Sequence, residues 1–150
     1  MMLASCGGAP AEAELPLGHV EILGHRGWVV GPSPFMARSG APSWRPTRTQ
    51  LEAFERALVP YVRSQPPVFQ IDPSVDLPTA LDGYVRQYTG ELRDGRRVVY
   101  VNLLCASFVE HLPGELTQMM TVSDGGECNC DAVFDPETSE MIRFGCAGDA

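Results

Sequence analysis

Residues 84–105 read Tyr84-Val85-Arg86-Gln87-Tyr88-Thr89-Gly90-Glu91-Leu92, then Arg93-Asp94-Gly95, then Arg96-Arg97-Val98-Val99-Tyr100-Val101-Asn102-Leu103-Leu104-Cys105. Two β-rich runs flanking an Asp-Gly pair are a strong hairpin signal, because both turn residues must tolerate positive φ. Strand alternation places Tyr84, Arg86, Tyr88 and Leu92 on one face. Two tyrosines around an arginine fit a recognition surface together with Trp44, since Tyr and Arg are enriched at binding hot spots. The same pattern fits a face packed against a helix, with Arg86 bonded to an acidic partner. The residues leave both readings open.

Downstream, Ala106–Leu116 is a loop with helical leanings. Met119–Ser123 reads as a strand interrupted by Asp124-Gly125-Gly126, where paired glycines imply a bulge or bend. Cys128–Phe134 resumes it, Asp135-Pro136-Glu137-Thr138-Ser139 turns, and Met141–Cys146 is the last strand. Upstream, eleven of the thirteen prolines precede residue 79, so the first half is rich in loops. One clear helix stands there. Thr47 with Gln50, and Thr49 with Glu52, both have capping-box spacing. Leu51, Phe54, Leu58, Tyr61 and Val62 fall on one helical face, with Glu52, Glu55, Arg56 and Arg63 mostly off it. The helix is expected from about Arg48, bent or ended near Val62 by Pro60, and stopped by Pro66-Pro67. His19–Leu23 and Trp28–Val30 supply one or two N-terminal strands, and Gly31–Pro46 is a long surface loop whose Trp44 covers the core edge or joins a binding surface.

The expected fold class is therefore α+β, with one main helix packed on a four- to five-stranded antiparallel sheet. Residues 1–18 are expected to be a signal remnant and flexible tether, and 19–150 a single domain. A chain of 150 residues, 44% apolar, fits one core. No apolar run reaches the roughly 18–20 residues that cross a bilayer as a helix. The net charge of −8 disfavours nucleic acid, whose phosphates call for a basic face. All eleven basic residues are arginine. Acidic side chains concentrate late: residues 122–150 hold seven against Arg143 alone, net −6. A solvated acidic sheet face explains this more simply than a basic partner or bound Ca²⁺.

Leu3-Ala4-Ser5-Cys6 resembles a bacterial lipobox, whose cysteine receives diacylglycerol. Only five residues precede Cys6, fewer than a charged start and an apolar stretch require, which implies an upstream start codon or a signal remnant. Gly7-Gly8-Ala9-Pro10 reads as a tether. Without Cys6 four cysteines remain, Cys105, Cys128, Cys130 and Cys146, an even count that implies two disulfides in an exported chain. Strand parity discriminates among the pairings. A hairpin matching Phe134 with Ile142 sets Cys130 opposite Cys146 and leaves Cys128 for Cys105. A register slip of two exchanges Cys128 and Cys130. Cys128 with Cys130 is disfavoured by their separation along one strand. A four-cysteine zinc site is the alternative, although zinc ribbons favour wider gaps than Cys128-Asn129-Cys130.

Four runs form a further series: Tyr84-Val85-Arg86-Gln87-Tyr88-Thr89-Gly90, Val99-Tyr100-Val101-Asn102, Val122-Ser123-Asp124-Gly125-Gly126, and Gly145-Cys146-Ala147-Gly148-Asp149-Ala150. Together they resemble a family of uncharacterised bacterial lipoproteins and secreted proteins. The resemblance covers about residues 47–150 and departs between Phe108 and Gln118, where a tryptophan is expected. It implies a cystatin-like arrangement, one helix across an antiparallel sheet, and brings no established activity. True cystatin inhibitors use Gln-x-Val-x-Gly, and Gln87-Tyr88-Thr89-Gly90 is one residue short of it.

No phosphate loop, Gly-x-Ser-x-Gly or His-Glu-x-x-His occurs. Cys105 and His111 would suit a thiol nucleophile and its base only if Cys105 were unpaired. His19 and His25 lack metal-ligand spacing, and Asp124, Glu127 and Asp131 fail the EF-hand template. The expectation is a non-catalytic envelope lipoprotein without a cofactor, held to a membrane through Cys6 on the periplasmic or surface side, and binding a protein or glycan. The alternatives are an enzyme or metal-binding protein using Cys105, Cys128, Cys130 and Cys146, or a secreted inhibitor or immunity-type protein.

Overall fold

A computed structural model describes residues 11–32, 44–68, 70–112, 116–120 and 125–147. Cys6, Asp124, most of the loop expected at 31–46 and the end of the strand expected at 119–123 lie outside the described residues. Strands β1 (Gly18–Ile22) and β2 (His25–Val29) come first. Helix α1 (Arg48–Ser64) and a short helix α2 (Leu77–Ala80) follow, the latter leading through a 3₁₀ turn at Leu81–Gly83 into β3 (Val85–Arg93). After β4 (Arg96–Leu104), helix α3 (Ala106–Val109), β5 (Gly126–Asp135) and β6 (Glu140–Ala147) complete the chain.

The six strands form one sheet in sequence order, and α1 packs against it, so the fold is α+β. The expected four or five antiparallel strands are corrected in two respects. Both N-terminal segments are strands, and β2 runs parallel to β3, with Gly27, Trp28 and Val29 opposite Arg86, Gln87 and Tyr88. The physical reason is the connection. A short turn forces antiparallel pairing, whereas the long passage through α1 lets the chain re-enter in the same direction. The arrangement is roughly cystatin-like with this parallel pair added.

Thr47 caps α1 reciprocally with Gln50: Gln50 N–H donates to Thr47 Oγ1 at 3.2 Å, and Thr47 N–H to Gln50 Oε1 at 2.9 Å. Leu51, Phe54 and Leu58 are fully buried by it. Pro60 does not end the helix, which continues to Ser64. It lies on the exposed face beside the exposed Arg56, whose carbonyl loses its helical donor. The Phe54 ring meets Tyr88 and Phe134 edge-on at 6.3 and 5.9 Å, tying the helix to the middle of the sheet. Residues expected to be a free tether up to Gly18 are tied down earlier. Glu14 bridges to Thr47, Leu15 N–H donates to the Pro46 carbonyl, and the Glu12 carboxylate accepts from Thr49 N–H.

Both two-residue hairpins have positive φ at both turn positions, Asp94 (53°) with Gly95 (74°) and Leu23 (48°) with Gly24 (84°). Asp-Gly suits this geometry and leucine does not. Leu23 is also 47% exposed, so little burial offsets the strain. Leu23→Asn is expected to stabilise the protein by about 1 kcal/mol. A rise in the urea midpoint at unchanged slope would show it, and a fall would mean that the exposed leucine packs better than its area implies.

The reverse side of the sheet carries a second apolar layer of Trp28, Val30, Val85, Leu104 and Leu116, against which Phe108, Val109, Leu112, Met119 and Met120 pack. Of the strand expected at 119–123, the described Met119 and Met120 belong to no strand, and β5 starts at Gly126. Side-chain amides take the place of a strand neighbour. Met120 N–H donates to Gln87 Oε1 at 2.9 Å, and Asn102 Nδ2 donates to the Met120 carbonyl at 3.0 Å. Gln87 Nε2 also reaches the carbonyls of Leu116 and Gln118. These two buried amides clamp the covering segment through its backbone.

Candidate functional site

The series Tyr84, Arg86, Tyr88, Gly90 faces α1. Arg86 and Tyr88 are 1% and 0% exposed, so the reading of Tyr84, Arg86, Tyr88 and Trp44 as a binding surface is corrected. Arg86 forms a two-pronged ion pair with Glu55, Nε to Oε1 at 3.0 Å and Nη2 to Oε2 at 3.1 Å. Its remaining nitrogen, Nη1, donates to the carbonyls of Leu81 and Tyr84, each at 2.6 Å. Tyr88 OH donates to Glu55 Oε1 at 2.6 Å, and burial, reinforced by the Glu55 charge, holds its phenol well above the usual tyrosine range. Tyr84 OH donates to the Glu127 carbonyl at 2.5 Å; desolvation and the nearby Glu127 charge raise it too. The charges at the centre are thus fully paired, as burial requires. This is a structural lock between helix and sheet.

Glu55 is the residue that the sequence reading placed off the apolar face. It follows Leu51 by four and precedes Leu58 by three, so the periodicity did place it within the buried stripe. A core-facing Arg86 calls for such a partner. His25 approaches the same cluster, its Nε2 3.6 Å from Glu55 Oε2 and 3.8 Å from Asp82 Oδ1, while its Nδ1 lies 3.1 Å from the Asp82 carbonyl.

Trp44 is buried at 8% exposure, and its Nε1 donates to the Glu91 carbonyl at 2.9 Å. The Arg97 guanidinium sits over its ring at 5.4 Å. Gly90 makes room for it: a Cβ there would meet the Trp44 carbonyl and lie 2.8 Å from two indole carbons. Gly90→Ala is expected to push Trp44 outward and cost about 2–3 kcal/mol. Loss of near-ultraviolet tryptophan dichroism alongside a lower unfolding midpoint would confirm this. Unchanged signals would show that Trp44 yields freely.

The four late cysteines form two disulfides, Cys105–Cys128 and Cys130–Cys146. Cys130 lies opposite Cys146, the first of the two registers that parity allows, but the Phe134–Ile142 match does not hold. A bulge between Val133 and Phe134 sets Phe134 against Met141 and leaves Ile142 44% exposed. The extra residue turns the edge strand without disturbing the crosslink. With Cys105 crosslinked, it offers no thiol to the exposed His111. Among the described residues no group of three His, Cys, Asp or Glu side chains is placed to hold a metal ion. Glu127 instead accepts from the Ile71 and Asp72 amides at 2.7 and 2.8 Å. Its burial pushes the carboxyl upward, and the backbone N–H donors outweigh that and hold it below its ordinary value. Asp131 accepts from Tyr100 OH at 3.0 Å and Arg143 at 3.2 Å. Both acids are engaged in structure.

One concavity was not anticipated. A cleft of about 520 Å³ opens between the last turn of α1, the segment 65–78 and Phe144 of β6. Val62, Pro67, Val68, Val75 and Leu77 give it apolar walls, and Arg63 and Asp76 stand at its rim. No sequence signal marked it, because Phe144 is far in sequence from the other walls. No helix among the described residues is long and apolar enough to cross a membrane. Two disulfides are the mark of a compartment outside the reducing cytoplasm. Neither protein-family models, nor curated proteins, nor solved structures yielded a match to this chain.

Proposed function

We propose that this chain is the folded module of a lipid-anchored protein of the bacterial envelope, with Cys6 as the anchor, and that it binds a protein or glycan without catalysing a reaction. The observation that carries the reading is the pair of disulfides, which engages all four late cysteines. It agrees with the lipobox-like Leu3-Ala4-Ser5-Cys6 and favours an extracytoplasmic address over a thiol enzyme or zinc protein. The buried charges support it as well. Glu55, Arg86 and Tyr88 satisfy one another, so these three groups are engaged in structure.

Intact mass of the protein from its own host, before and after reduction and alkylation, tests this. A diacylglyceryl adduct on Cys6 with four thiols unmasked only by reduction is the expected result. An unlipidated chain with four free thiols would overturn the address and the crosslinks together.

A further inference from the structure

We infer that the β6 edge with its adjoining cleft is a docking site for an extended peptide in which apolar residues alternate with Lys or Arg. The inference deepens the binding-module reading and rests on it.

The two sheet edges differ. At β1, Arg48 Nη1 already donates to the Glu21 carbonyl at 2.8 Å, so a side chain occupies part of that edge. β6 is last in the sheet order and pairs with β5 on its other side. An edge strand directs alternate N–H and C=O groups outward, and an extended peptide adds to it through its backbone. Phe144 lies opposite Ala132 on the helix side of the sheet and lines the cleft. In an added strand, the residue beside Phe144 would bring its Cβ within about 5 Å and direct its side chain at the cleft mouth. A volume of about 520 Å³ accommodates one or two such apolar side chains.

Charge fixes the partner's other residues. Asp72, Glu137 and Glu140 are exposed around this edge. The nearby cations are already engaged, Arg143 with Asp131 at 3.2 Å and Arg63 with Thr79 and Asp76 at 3.1 and 3.7 Å. A second copy of the chain would bring another −8 and the same acidic rim, which disfavours self-pairing.

The test uses the full, oxidised, ¹⁵N-labelled chain titrated with end-blocked octapeptides of alternating valine and lysine, and of alternating valine and glutamate. Saturable amide shifts confined to 140–147 and the cleft walls are expected with the lysine peptide, and binding at least about tenfold weaker with the glutamate peptide. Val75→Asn, at a half-exposed wall position, should leave the melting curve unchanged and weaken the lysine peptide at least about fivefold. Saturable shifts elsewhere, equal binding of both peptides, or no saturable shift would overturn the inference. Concentration-dependent shifts of β6 without peptide would assign the edge to a second copy and overturn it too. A lipidated, crosslinked protein that fails this titration keeps the envelope reading and loses only this surface.

Discussion

Glu55→Ala is expected to destabilise the protein by about 3–5 kcal/mol, because it strands a buried arginine without its counter-ion. Both side chains of the pair are only 1% exposed, so water cannot take over the role of the carboxylate. Arg86 would keep the Leu81 and Tyr84 carbonyls, but Tyr88 OH would lose its acceptor. For a chain of this length the loss corresponds to a fall in melting temperature of roughly 6–20 °C. The double variant Glu55→Leu with Arg86→Met decides between two accounts. If the charges lock helix to sheet as a unit, the pair change should cost far less than the sum of the single changes. Additive losses would mean that each side chain contributes separately through packing. A loss under about 1 kcal/mol for Glu55→Ala would show that solvent reaches the site.

Removing the Cys130–Cys146 crosslink as Cys130→Ala with Cys146→Ala should cost about 3 kcal/mol from the freedom restored to the unfolded chain. The loop closed is 16 residues apart in sequence, and Cys130 is 1% exposed in the core, so lost packing adds to that figure. Cys105–Cys128 spans 23 residues and is half-exposed at both ends. Its removal should cost about 3 kcal/mol with little packing loss. Urea titration of the two crosslink variants gives the comparison. Graded reduction followed by alkylation and mass mapping should find Cys105 and Cys128 modified first, since access of the attacking thiolate limits exchange. Earlier modification of Cys130 and Cys146 would show that β6 opens before the covering segment does.

Much of this architecture was legible in local sequence. Thr47 with Gln50 marked the helix start, and Asp94-Gly95 marked the central hairpin, because caps and tight turns depend on residues next to each other. Alternation put Cys128 and Cys130 on the face that meets Cys146, since strand parity is also a local property, and the register of the folded sheet selected Cys130. Legibility failed where a residue's role depends on a distant one. Met119 and Met120 looked like a strand, yet the backbone partners of Met120 are the side chains of Gln87 and Asn102. Ile142 looked like a core residue until a one-residue bulge turned it outward.

The candidate site shows the same division. Tyr84, Arg86, Tyr88 and Leu92 were visible as one face from parity alone, but parity does not say what covers a face. Only the tertiary structure brought Glu55 and Trp44 onto it and turned a possible contact surface into an interior lock. The sequence by itself determined the helix, the hairpin and the α+β class, all set by spacing along the chain. The parallel β2–β3 pair, the burial of Arg86 and the cleft beside Phe144 were decided in three dimensions. Each brings together segments far apart in sequence, and hydrophobic periodicity carries no record of which distant segment will supply the partner.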